Sequence, residues 1–190
     1  MYEQKVKEYL AQVKQVIDAI NVEDINDLAN EIRDLRARGG RLFICGVGGS
    51  SGNASHAVND FRKILGIEAY APTDNVSELT ARINDEGWDT SISNWLIISK
   101  ISKNDAILTL SVGGGSETTS QNLVKAMELA KQRNAKVFGI VSRDGGVTKQ
   151  LSDACVLIPI VDNNKITPHA EEFQAIIWHM LVTIIGKEDA

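Results

Sequence analysis

The 190-residue chain predicts an α/β fold: a doubly wound, about five-stranded parallel sheet with helices on both faces, preceded by an N-terminal helical hairpin. Three observations predict it. Short apolar runs recur after Gly40, at 41–45, 67–70, 106–110, 136–141 and 154–160. The runs are continuous rather than alternating, as in strands covered on both faces. Helical stretches separate them, which is the connection that parallel strands require.

The elements follow in order. Apolar residues at Val6, Tyr9, Leu10, Val13, Val16, Ile17 and Ile20 have the three-and-four spacing of an amphipathic helix. Asn21 interrupts it, and a second helical pattern at Ile25, Leu28, Ile32 and Leu35 stops at Gly39 and Gly40. No strand precedes this hairpin, so its apolar stripe must pack on the domain core or on a second subunit. Residues 1–38 are therefore expected to contribute to oligomerisation. Phe173, Ile176, Ile177, Met180, Leu181 and Ile184 mark a closing helix. With no internal repeat or Pro/Ser-rich linker, residues 1–190 read as one domain.

Composition narrows the function. A net charge of -5 and the lack of a long Lys/Arg cluster disfavour nucleic acid as the partner. No apolar stretch approaches a membrane span, and the charged N-terminus has no signal-peptide pattern. Cys45 and Cys155 lie in apolar stretches and read as buried, reduced thiols, so a cytoplasmic location is expected.

Two strands run into small-residue loops, CGVGGSSGNASH and LSVGGGSETTSQ, and then into helices. Loops at the carboxyl ends of parallel strands line the ligand crevice. Glycines let the backbone approach closely, and N–H groups at helix starts favour an anion. Gly48, Gly49, Ser50, Ser51, Ser111 and Ser116 are the candidate phosphate-binding residues. Ser51 stands where a dinucleotide fingerprint needs its third glycine, and no Walker lysine follows, so a nucleotide cofactor is not expected. One such loop is often only a tight turn. Two after different strands favour an anion site.

His56 and Asp60 share a helix face at i and i+4, where they can meet one metal or substrate, or form a plain surface contact. His179 sits among Ile176, Ile177, Trp178, Met180 and Leu181 and, by pattern alone, reads as a core histidine. His169 reads as a surface or rim residue, and Asp85 as part of an Asn-Asp-Glu-Gly turn able to hold a sugar hydroxyl. Glu171 and His179 are about 12 Å apart along a helix, so reaching one metal would take a distortion or two subunits.

CGVGGSSGNASHAVNDF, NDEGW, LSVGGGSETTSQNLVKAM, SRDGG and HAEEFQAIIWHML, in that order, resemble the bacterial phosphoheptose isomerases of the sugar isomerase (SIS) superfamily. The resemblance implies isomerisation of sedoheptulose 7-phosphate to D-glycero-D-manno-heptose 7-phosphate through an enediol, in a homotetramer. It implies Asp60 and His179 as catalytic residues, and His56, Asp60, Glu171 and His179 as ligands of one zinc ion. Asp85 and Glu171 join the phosphate loops as substrate-binding residues. Asp60 and Glu171 stand where that family carries Glu and Gln, and Val47 where its first loop carries Asn. A non-catalytic SIS module that binds a sugar phosphate or a protein partner, and an isomerase of another phosphosugar, are the competing readings.

Overall fold

A computed structural model describes residues 2–186. The hairpin is α1 (Tyr2–Ala19) and α2 (Val22–Ala37). Asn21 caps α2 by accepting a hydrogen bond from the Glu23 amide, so the residue that breaks the first helix starts the second. Then come β1 (Leu42–Gly46), α3 (Gly49–Leu65), β2 (Ala69–Tyr70), α4 (Val76–Glu86), α5 (Ser91–Ile98) and β3 (Ala106–Ser111). The chain closes with α6 (Gln121–Gln132), β4 (Lys136–Val141), α7 (Gly146–Leu151), β5 (Ala154–Leu157) and α8 (Ile166–Gly186).

The strands form one parallel sheet in the order β2-β1-β3-β4-β5. Strand order reverses between β1 and β3, and those strands carry the two small-residue loops. The ligand crevice of such a sheet lies at that reversal, outside the carboxyl ends. The pleat divides the core. Leu42 and Ile44 face α2, α3 and α8 together with Leu108, Leu110, Phe138 and Ile140, whereas Phe43 and Cys45 face α5 and α6 together with Ile107 and Val137. Gly139 lets α7 and β5 close on β4, since a Cβ there would lie 2.5 Å from Thr148 Cγ2 and 3.0 Å from Cys155 Sγ.

At the opposite end of the sheet, Asp105 is buried and accepts from the Arg41 guanidinium at 2.8 and 3.1 Å and from the Arg41 amide at 3.0 Å. Burial opposes its ionisation, but hydrogen bonds from Arg41 and Ser102 outweigh it and hold the carboxyl below its ordinary value.

The hairpin divides its apolar residues unequally. α2 buries Ile25, Leu28, Ala29, Ile32 and Leu35, whereas α1 buries Val16 and leaves Val6, Leu10 and Ile17 exposed. Polar contacts tie α1 to α8. His169 is 3% exposed, not a rim residue as its sequence context suggested, and its ring nitrogens meet Glu172 and Gln12 at 3.2 Å each. Tyr9 donates to Glu172, and burial followed by that acceptor pushes its phenol up to about 12. Asp85 lies in the last turn of α4 rather than in an open turn, and Gly87 follows Glu86 as the cap with φ +86°. No residue of α4 is buried. Cys45 is fully buried, while Cys155 is only partly so.

Candidate functional site

Ser50, Ser111 and Ser116 converge on a cavity of about 450 Å³ at the carboxyl ends of the strands. The protein uses each hydroxyl oxygen as an acceptor. Ser111 accepts from the Gly114 amide at 3.1 Å, Ser116 from the Thr118 and Thr119 amides at 3.3 and 3.2 Å, and Ser50 from Gln174 Nε2 at 3.1 Å. A hydroxyl that accepts keeps its proton for another partner. Ser51 differs: its hydroxyl donates to the Gly48 carbonyl at 2.7 Å, and neither Gly48, Gly49 nor Ser51 lines the cavity.

The second loop is shaped by α7. The Gly114 carbonyl accepts from the Thr148 amide at 2.9 Å and hydroxyl at 2.8 Å, and the Gly115 carbonyl accepts from the Val147 amide at 3.0 Å. Gly114 has φ +72°, and a Cβ there would lie 1.9 Å from the Gly145 carbonyl oxygen. With the carbonyls turned toward α7, the Gly113 and Gly115 amides donate to no acceptor among the described residues. A set of open loop amides and hydroxyls at the carboxyl ends of the strands suits a phosphate.

Arg143 adds a cation that the sequence reading passed over. It lines the cavity in the turn after β4, at φ +57°, with its Cδ 3.6 Å from where a Gly113 Cβ would be. The rule that placed the first two loops at the crevice applies equally to SRDGG, which follows a third parallel strand.

The second cluster lies farther along α3. This helix runs beside α8 in the same direction: Gly49 lies against Glu171, Asp60 against Trp178, and Gly186 against Ile64. Asp60, 7% exposed, is surrounded by donors. Trp178 Nε1 donates to its Oδ2 at 3.0 Å and Asn59 Nδ2 to its Oδ1 at 3.1 Å. His56 Nε2 and His179 Nε2 approach Oδ2 at 3.5 and 3.4 Å, and the two imidazoles are half exposed, with centroids 5.2 Å apart. His179 Nδ1 donates to the Ala175 carbonyl at 2.8 Å, which turns Nε2 toward Asp60. His179 is therefore not a core histidine; the buried neighbour is Trp178, 1% exposed.

His56, Asp60 and His179 present ligand atoms within 4.8 Å of one another. Ligands about 2.1 Å from a tetrahedral zinc ion lie about 3.4 Å apart, close to the two nitrogen-to-Oδ2 separations, so the donor types and these two spacings fit such an ion once the half-exposed imidazoles close on it. Glu171 is not brought to that cluster. Its carboxylate lies over the start of α3, where a Gly49 Cβ would be 2.3 Å from Oε2. Asp85 accepts from Asn84 Nδ2 at 2.7 Å and does not line the cavity.

The SIS domain family model matches residues 2–142. The chain is 33% identical over 152 residues to the phosphoheptose isomerase of a Nitratiruptor species, spanning 77% of this chain and 76% of that protein. It is 32% identical over 156 residues to the phosphoheptose isomerase of Helicobacter pylori, spanning 80% and 77%. Its fold superposes on phosphoheptose isomerase GmhA from Neisseria gonorrhoeae with a TM-score of 0.86 at 23% identity, covering 97% of this chain and 98% of that one. The family-model match and the two relatives establish that the chain belongs to the SIS-domain family, in its phosphoheptose isomerase branch.

Proposed function

We propose that the chain is an aldose-ketose isomerase that converts sedoheptulose 7-phosphate to D-glycero-D-manno-heptose 7-phosphate, acting as a cytoplasmic homotetramer with sites at subunit interfaces. The observation that carries this reading is Asp60, a buried carboxylate flanked by two half-exposed imidazoles, on the same helix as a phosphate cradle. Ser50 and His56 are about 9 Å apart along α3, and Asp60 is about 15 Å from Ser50. In a heptose 7-phosphate the reacting carbons and the phosphate occupy opposite ends of the carbon chain, which suits that separation.

The chemistry needs a base and a proton shuttle. Asp60 removes a proton from C1 of the ketose while protonated His179 Nε2 gives one to the C2 carbonyl oxygen, forming the enediol. The O1 hydroxyl then returns its proton to His179, and C2 takes the proton held by Asp60. Both residues end as they began. His56 and Trp178 hold the carboxylate in position, and Ser50, Ser111, Ser116 and Arg143 hold the phosphate.

A zinc ion, if bound, would be held by His56, Asp60 and His179, and the chemistry it supplies is polarisation of the substrate carbonyl. His179 Nε2 has one lone pair and cannot hold an ion and a proton together, so added zinc separates the two modes. The exposed Val6, Leu10 and Ile17 of α1 and the exposed imidazoles support coverage by a second copy of the chain.

The test is conversion of sedoheptulose 7-phosphate followed by NMR, for wild type and Asp60→Asn, each with and without zinc. Turnover lost on substitution is the expected result. No turnover by the wild type under any condition overturns the isomerase reading and favours a phosphosugar-binding module or another sugar. A monomer in light scattering overturns the assembly.

A further inference from the structure

We propose that Asn53 and Gln174 form a relay that fixes the Ser50 hydroxyl as a donor to the substrate's anion, making Gln174 a positioning residue. The inference rests on the reading of Ser50 as part of the phosphate cradle.

Chemistry fixes the direction of the relay at its far end. The Glu171 main-chain carbonyl only accepts, so the Asn53 side-chain atom 2.9 Å from it must be the amide nitrogen. That nitrogen also donates to Gln174 at 2.8 Å, so Gln174 turns Oε1 toward Asn53. Gln174 Nε2 is left facing Ser50 Oγ at 3.1 Å, and because an amide NH₂ only donates, Ser50 accepts. The Ser50 proton then has no acceptor among the described residues, and the side of Ser50 that remains open is the cavity.

Burial makes the arrangement rigid. Gln174 is 0% exposed and Ser50 2%, so neither can exchange its partner for bulk water. Main-chain amides do the same for Ser111 and Ser116. Only Ser50 depends on a side chain, and that side chain belongs to α8, the helix that also carries His179.

The experiment is calorimetric titration of inorganic phosphate into the wild type, Ser50→Ala, Gln174→Glu, Gln174→Met and Ser50→Ala with each Gln174 change. Glutamate presents an acceptor to Ser50 and draws its proton away from the cavity, so Gln174→Glu is expected to weaken phosphate binding about tenfold or more, as Ser50→Ala does. Gln174→Met, which keeps the volume and frees the hydroxyl to rotate, should fall between that and wild type. Gln174→Met, which adds no charge, should not weaken binding further in the Ser50→Ala background. If Gln174→Glu does not fold, the methionine pair carries the test. A folded Gln174→Met that binds like wild type beside a weakened Ser50→Ala overturns the relay, as does an additive loss in the Ser50→Ala, Gln174→Met double variant. Wild-type affinity in Ser50→Ala overturns the cradle reading instead.

Discussion

Trp178→Phe isolates the contact that orients the central carboxylate. The substitution removes one N–H, which donates to Asp60 Oδ2 at 3.0 Å, and part of a ring that is 1% exposed. The remaining approaches to that oxygen are the two imidazole nitrogens at 3.4 and 3.5 Å, too long to replace the lost bond. A hydrogen bond to a charged group contributes about 1.5–3 kcal/mol, and the smaller ring leaves a void worth roughly another 1 kcal/mol. The sum, about 3 kcal/mol, corresponds to a fall in Tm of roughly 6–12 °C for a chain of this size. Urea unfolding at fixed protein concentration measures it. The bond is separated from the void by repeating the substitution in an Asp60→Ala background, where only the void remains. A coupling of about 1.5–3 kcal/mol is expected; less than about 0.5 kcal/mol would refute the claim that Trp178 acts on Asp60. If the proposed zinc site binds the ion, its affinity is a second readout, expected to fall about 10–100-fold on loss of a partner that orients a ligand.

The cradle and the base of the sheet can be probed in the same way. Arg143→Gln should raise KM about tenfold with little change in kcat, and should flatten the salt dependence of KM, because the lost charge is exposed and screened. Gly114→Ala forces a Cβ to within 1.9 Å of the Gly145 carbonyl oxygen at φ +72°. The loop must then part from α7 and lose both Thr148 bonds, for about 3–4 kcal/mol in urea unfolding and weaker phosphate binding in calorimetry. Asp105→Asn should cost about 2–4 kcal/mol near neutral pH. The folded carboxyl is held below its unfolded value of about 3.9, so its contribution is present above that pH and fades as pH falls through the folded value. Wild type and Asp105→Asn should therefore converge in acid; a constant gap down through that range would contradict the assignment.

The strands and the placing of the two small-residue loops at the crevice were legible in the sequence because each rests on a local pattern: continuous apolar runs, and small residues after a strand. β2 is shorter than its apolar run, with Ala69 and Tyr70 alone pairing with β1, because the Ile67 amide is taken up by the Phe61 carbonyl at the end of α3. The His/Asp pair was legible from its spacing, and so was the separation of Glu171 from His179. Which of Trp178 and His179 is buried was not legible from the apolar pattern. Both lie in one apolar run, and the rotation of about 100° between consecutive helical residues decides which of them faces α3. Trp178 turns in and carries its N–H to Asp60; His179 turns to the rim and meets the same carboxylate from outside. His169 was misread because what buries it, Tyr9 and Gln12 of α1, lies more than 150 residues away in the chain. Arg143 required only that the loop rule be applied to a third strand.

The seam between α3 and α8 joins these observations into one device. Two packed helices gain most from apolar contacts, yet this pair places Ser50, Asn53 and Asp60 on one side and Glu171, Gln174 and Trp178 on the other. A buried polar seam stabilises less than an aliphatic one of the same volume, but each of its hydrogen bonds fixes a register that aliphatic side chains would leave free to slide. At the seam's start the register sets Ser50 at the cavity proposed to hold phosphate; three turns later it sets a carboxylate between two imidazoles. A shift of α8 along α3 would disturb both together. In the proposed reaction the seam thus holds constant the one distance an isomerase of a long sugar phosphate must control, that between the anion held by the cradle and the carbon whose proton is moved.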